Sequence, residues 1–187
     1  MLSVGDGDRD IALPFFRFHP DPIATGYLRS STDTCRACGV ARGWILQVPF
    51  YSLEDVDELC PWCVADGSAA ARFDGEFTDS AAVEPIDNPE SLDELLHRTP
   101  GYSSWQQEAW VCHCNEPCAY VGLLTRAQAI DYANDLKVDL SPTYEWTTDI
   151  LPALPVRVDR PGELNWFEVH HFRCVVCGRH RAAVNVS

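Results

Sequence analysis

Basic residues are scarce in this chain of 187 residues: 14 lysines and arginines stand against 28 aspartates and glutamates, a formal net charge of −14. That deficit disfavours any role that must neutralise a phosphate backbone. A long uninterrupted apolar run is also missing, which argues against a membrane span. The opening residues, MLSVGDGDRDIALPFF, carry acid where a secretory signal would carry positive charge. Both features predict a cytoplasmic protein. Internal repeats, a phosphate-binding glycine loop, a dinucleotide fingerprint and a nucleophile elbow are absent, so the usual sequence grounds for a nucleotide-dependent enzyme or a serine hydrolase are not there. Apolar residues are not lacking. At 46% hydrophobic and 11% aromatic, the chain can bury a core in one domain or two small ones.

What is there in excess is cysteine, nine residues of it. In a reducing compartment a disulfide framework is disfavoured, and metal binding or catalysis explains the cysteines better. Cys35 and Cys38 form one Cys-x-x-Cys, Cys60 and Cys63 a second, with 21 residues between the pairs. This is close to the spacing of a four-cysteine zinc site. Gly39 follows the first pair and allows the chain to turn back at positive φ. The run WILQVPFY then reads as a strand, and SLEDVDEL, with Ser52 and Asp55 in a capping-box arrangement, reads as a short helix before the second pair. The expectation is a metal held between a hairpin and a helix end. The string CPWC also resembles a redox turn, but the βαβ pattern of thioredoxin-like folds is missing and a second pair stands at zinc distance.

The C-terminal half repeats the arrangement more loosely. WVCHCNEPCAYVG contains Cys112, His113, Cys114 and Cys118, and 55 residues beyond Cys118 come Cys174 and Cys177 in FRCVVCGRH. Strand-like WFEVHHF and AAVNV flank this last pair, so it reads as the tip of a zinc-ribbon hairpin. Cys114 and Cys118 are expected as the other two ligands. Cys112 and His113 compete for the same role, either one able to replace Cys114 or Cys118 in a Cys₃His or mixed site.

The strings HPDPIATG, CPWCVADGSAAARFDGEF, HRTPGYSSWQQEAW, HCNEPCAYVG and FRCVVCGRH, between Leu13 and His180, resemble the bacterial CbrC family of small cysteine-rich proteins. The resemblance implies a zinc-binding immunity or tolerance factor linked to colicins. Cys112 and the stretch from Asp139 to Leu164 depart from the family pattern and leave the second ligand set open.

Charge is distributed unevenly. From Ser52 to Arg98, thirteen acidic residues face only Arg72 and Arg98, a net of −11, whereas the first 51 residues are neutral and the last 89 sum to −3. Such a segment suits a basic protein partner, for example a nuclease-type toxin, or a solvated surface kept for solubility.

The rest reads as scaffold. LPFFRF can form a strand and HPDPIATG a proline-bounded loop. SLDELLHR is a short helix with a Ser91/Glu94 capping box, and TRAQAIDYANDLK a longer one with Thr125/Gln128 as its box and Ala129, Ile130, Ala133 and Leu136 as its apolar face. SPTYEWTTDILPALPVRVDRPGE reads as an extended, proline-rich connection. Glu168, His170 and His171 lie on a strand beside Cys174, where alternation sends the two histidines to opposite faces, one exposed and one packed. Trp105, Gln106, Gln107 and Glu108 can pin a loop by hydrogen bonds.

The expectation as a whole is an α+β protein of zinc-ribbon-like hairpins and short helices, stapled by two zinc ions. It forms one domain over residues 1–187, with subdomains at 11–98 and 99–187. It acts by binding and not by catalysis; a zinc-dependent hydrolase acting on a nucleic acid or toxin-related substrate is the alternative, and a nucleic-acid-binding ribbon a third reading.

Overall fold

A computed structural model describes residues 12–155 and 167–186. The fold is a mixed α+β arrangement of short helices and small antiparallel sheets. Strands β1 (Leu28–Ser30) and β2 (Trp44–Leu46) pair antiparallel. Helices α1 (Pro61–Ala65), α2 (Ser68–Phe73) and α3 (Pro89–Arg98) follow. A small hairpin, β3 (Cys112–His113) and β4 (Glu116–Pro117), leads into β5 (Ala119–Leu123). Helices α4 (Arg126–Asp131), α5 (Ala133–Leu140) and α6 (Leu151–Ala153) precede the closing hairpin of β6 (Phe167–Arg173) and β7 (His180–Val186).

The three-stranded sheet, ordered β5-β6-β7, is the middle layer. Its central strand is buried on both faces: Phe172 lies in a cluster with Phe18, Tyr102, Trp110 and Tyr120, while Val169 lies opposite with Leu124, Leu136 and Leu140. His170 and His171 follow the same alternation, but both are buried, so the expected exposed histidine does not exist. Tyr102 stacks flat on Tyr120 with ring centroids 4.5 Å apart. A third cluster, including Phe16, Ile45, Val64 and Phe77, surrounds the first cysteine group.

Several local expectations give way to tertiary hydrogen bonding. SLEDVDEL is not helical: the carbonyl of Glu58 accepts from the Arg36 amide (3.0 Å) and that of Leu59 from the Leu46 amide (2.9 Å), and Glu58 sits at φ +55. Those backbone groups are engaged beside β2, and the helix starts only at Pro61. LPFFRF forms no strand, although its Phe18 carbonyl accepts from the Tyr120 amide (2.8 Å). The cap of α3 is Asn88, whose side chain accepts from the Ser91 amide, with Pro89 at the first helical position. The Thr125/Gln128 capping box is present, but the helix breaks at Tyr132 and Ile130 is exposed. The proline-rich connection is not simply extended, because Trp146–Ile150 forms one π-helical turn running into α6. Residues 156–163 of that connection, and residues 1–11 of the opening stretch read against a secretory signal, lie outside the described residues.

Candidate metal centres

The Cys-x-x-Cys-Gly turn occurs twice with the same backbone wiring. At Cys35, the Gly39 amide donates to the Cys35 carbonyl (2.8 Å) and the Cys35 amide to Val40 (3.2 Å); at Cys174, the Gly178 amide donates to the Cys174 carbonyl (3.0 Å) and the Cys174 amide to Arg179 (2.8 Å). Gly39 and Gly178 sit at φ +70 and +75, a region that an L side chain would strain. The turn aims backbone N–H groups at its first sulfur, as Val176 and Cys177 donate to the Cys174 Sγ at 3.4 and 3.5 Å.

In the first centre this turn meets the start of α1. Cys60 is the N-cap and Cys63 lies in the first turn, so Pro61 and the helical geometry set the two sulfurs side by side. The donor atoms of Cys35, Cys38, Cys60 and Cys63 all lie within 4.8 Å of one another. The Cys38 and Cys60 sulfurs are 4.0 Å apart, and the Cys60 amide donates to the Cys35 Sγ at 3.3 Å. A disulfide needs about 2.05 Å between sulfurs, whereas the edge of a tetrahedron with ~2.3 Å metal–sulfur bonds is about 3.8 Å. The sulfurs are therefore spaced for an ion between them, and all nine cysteines are free. The first pair lies in the loop between β1 and β2, as expected, but the second lies at the start of α1 and not at the end of a helix over SLEDVDEL, which corrects that part of the expectation.

Proton affinities match that spacing. Burial raises Cys60, and burial pushes Cys63 up to about 11. Burial acts the same way on Cys35 but is outweighed by hydrogen bonds from the backbone of Cys60, Cys38 and Ala37, so this thiol falls below its ordinary value. Four thiolates packed this closely repel one another, and a divalent cation would offset that repulsion and release the protons.

In the second centre the repeated turn meets the β3–β4 hairpin. Cys114 and Asn115 occupy its two-residue loop at φ 57 and 59, the double positive φ that a type I′ turn requires. The loop brings His113 and Cys114 onto Cys174 and Cys177, with all four donor atoms within 4.8 Å. The Nδ1 of His113 lies 3.1 Å from the Cys114 Sγ and 3.4 Å from the Cys177 Sγ. Burial pushes Cys174 up, but the amides of Cys177 and Val176 more than offset it and bring the thiol down to about 6.

Cys118, expected as the fourth ligand, is not in this group. The hairpin reverses at Cys114-Asn115, and the Cys118 amide donates to the Val111 carbonyl (2.9 Å), which places it about 10 Å down the hairpin at ~3.3 Å per residue. Its side chain is buried in the aromatic cluster, which raises its pKa. His113 takes the fourth place, one of the two residues that competed for it. Cys112 is buried outside both groups.

The remaining candidates are bound into the scaffold. Glu108 is buried and accepts from the Tyr51 hydroxyl (2.8 Å) and the Asp79 amide (3.3 Å), so the WQQE segment does pin a loop. His170 faces Glu168 at 3.3 Å and the Tyr120 hydroxyl at 3.3 Å inside the core. Among the described residues no helix is long and apolar enough to cross a membrane.

Fold and sites together define a small α+β protein with two cysteine-rich groups able to hold metal ions. The chain belongs to the family described as Uncharacterised protein family (UPF0167), which it matches over residues 13–186. It is 38% identical over 174 residues to UPF0167 proteins of Mycobacterium bovis and Mycobacterium tuberculosis, covering 91% of this chain and 91% of each relative. To a UPF0167 protein of Pseudomonas aeruginosa it is 45% identical over 115 residues, 59% of this chain and 63% of that one. No solved structure matches.

Proposed function

We propose that the protein binds two zinc ions as structural staples and acts in the cytoplasm as a non-catalytic binding factor, holding a basic protein partner against its acidic segment. Zinc fits the donors: thiolate and imidazole suit it, and four protein ligands per site leave no position for an activated water. The CbrC resemblance extends this reading to toxin tolerance, with a nuclease-type toxin as the partner.

One observation carries the partner reading. None of the thirteen carboxylates between Ser52 and Arg98 is buried, and Glu54, Asp55, Asp57 and Glu58 are all exposed on a loop anchored by buried Val56 and Leu59. A depression of about 420 Å³ next to α3 carries Asp66, Asp74 and Glu76 on one side and Asp93, paired with His97 and Arg98, on the other. Complementary charge chiefly accelerates encounter, so association should slow steeply as salt rises. The test is the association rate with a basic nuclease toxin and the protection it gives to cells. Reversing Glu54, Asp55 and Asp57 to lysine should lower both without unfolding the chain. Unchanged protection by the reversed variant would leave the segment a solvated surface.

A further inference from the structure

We propose that Cys114 and Cys177 are the site at which this protein reacts with peroxides, joining as a disulfide and releasing the metal of the second centre while the first stays loaded. The proposal rests on the metal-binding reading above.

The two centres differ in access. Cys114 and Cys177 are exposed, whereas Cys35, Cys60 and Cys63 are buried and Cys38 is half-buried. Cys112 and Cys118, outside both groups, are buried as well. A metal-bound sulfur is already a thiolate, so which one an oxidant meets is decided by approach.

Geometry selects the pair. Both sulfurs border the same His113 nitrogen, at 3.1 and 3.4 Å, and both belong to turns at the tips of hairpins, so a small closing movement joins them. Cys174 is kept out: it is buried, and its sulfur is held by the amides of Val176 and Cys177.

The chemistry balances with a peroxide as the oxidant. One thiolate sulfur attacks a peroxide oxygen, the O–O bond breaks, hydroxide leaves and a sulfenic acid forms. The second thiolate attacks that sulfur, the S–O bond breaks with loss of a second hydroxide, and the S–S bond forms. The sulfurs give up two electrons, and solvent supplies two protons to make two waters. His113 and Cys174 alone then face the cation, half of the tetrahedral set, and it dissociates.

The experiment treats the zinc-loaded full chain with hydrogen peroxide, follows released zinc with a chelating dye and maps cross-links by peptide mass spectrometry without reduction. Zinc counted before peroxide is added tests the metal reading alone, and the cross-link map tests this proposal whether or not zinc is found. The expected result is a first disulfide between Cys114 and Cys177 with release of about one of two zinc ions, reversed by thiol reductant and fresh zinc. Cys112→Ser, which alters a buried thiol outside both groups, should leave the release rate unchanged. A first disulfide among Cys35, Cys38, Cys60 and Cys63, simultaneous loss of both ions, or a rate that depends on Cys112 overturns the proposal.

Discussion

The Nδ1 of His113 stands 3.4 Å from the sulfur of Cys177, a residue 64 positions further along the chain. The second group thus joins two hairpins that share no strand pairing, and its four donor atoms include the imidazole and not the Cys118 sulfur. His113→Ala should leave about one zinc per chain after dialysis against a competing chelator, whereas Cys118→Ala should keep about two. Elemental analysis of the two variants, prepared side by side, checks this; equal zinc loss would return Cys118 to the ligand set.

The first centre is embedded in apolar packing, so breaking it should cost folding and not only metal. Cys60→Ser is expected to lose several kcal/mol of stability and one zinc ion, since binding energy at a closed site is folding energy. Urea denaturation of parent and variant measures the difference. A variant as stable as the parent would make the buried thiols ordinary core residues.

His19 gives a pH dependence with a definite sign. It is fully buried, its ring nitrogens bonded to the Pro100 carbonyl (2.9 Å) and the Thr25 hydroxyl (2.7 Å), and burial lowers its pKa from 6.5 to about 4. The unfolded chain therefore takes up the proton first. Stability from this group is complete above about pH 6.5 and is lost as pH falls towards 4, on the order of 3 kcal/mol in all. The denaturation midpoint of His19→Gln should fall less steeply between pH 7 and 5 than that of the parent; acid loss of metal is common to both and cancels. Parallel slopes would contradict the assignment.

Gly101 follows the helix-stopping Pro100, but its own role is steric: a Cβ there would overlap the carbonyl oxygen of Phe77, which is backbone and cannot swing away. Gly101→Ala should cost about 3 kcal/mol. Thermal unfolding reads this directly, and a loss under about 0.5 kcal/mol, the range of a surface change, would show that the backbone at Gly101 and Phe77 relaxes.

What the sequence revealed was what is written in local chemistry. Cys-x-x-Cys-Gly specifies its own turn, so both copies were legible, as was the Thr125/Gln128 box. His113 was harder to find because its place depends on the positive-φ loop at Cys114-Asn115, and asparagine at the second loop position was the available signal. SLEDVDEL has a helical pattern, but its backbone is claimed by Arg36 and Leu46, partners that no local window contains. The lone strand expected at LPFFRF failed for the complementary reason: Pro14 donates no amide, and the pairing of Phe18 to Tyr120 is a single bond.

The spans of the two ligand sets also set an order of assembly. The first set lies between Cys35 and Cys63, the second between His113 and Cys177. A chain leaving the ribosome exposes every ligand of the first centre long before Cys174 is made. The first ligand set is thus complete, and able to take an ion, while His113 and Cys114 wait for their partners. Until those arrive, half a centre stands open to any thiol-seeking ion or oxidant. Between translation of residues 114 and 177 the second ligand set is therefore incomplete, whereas the first is already whole.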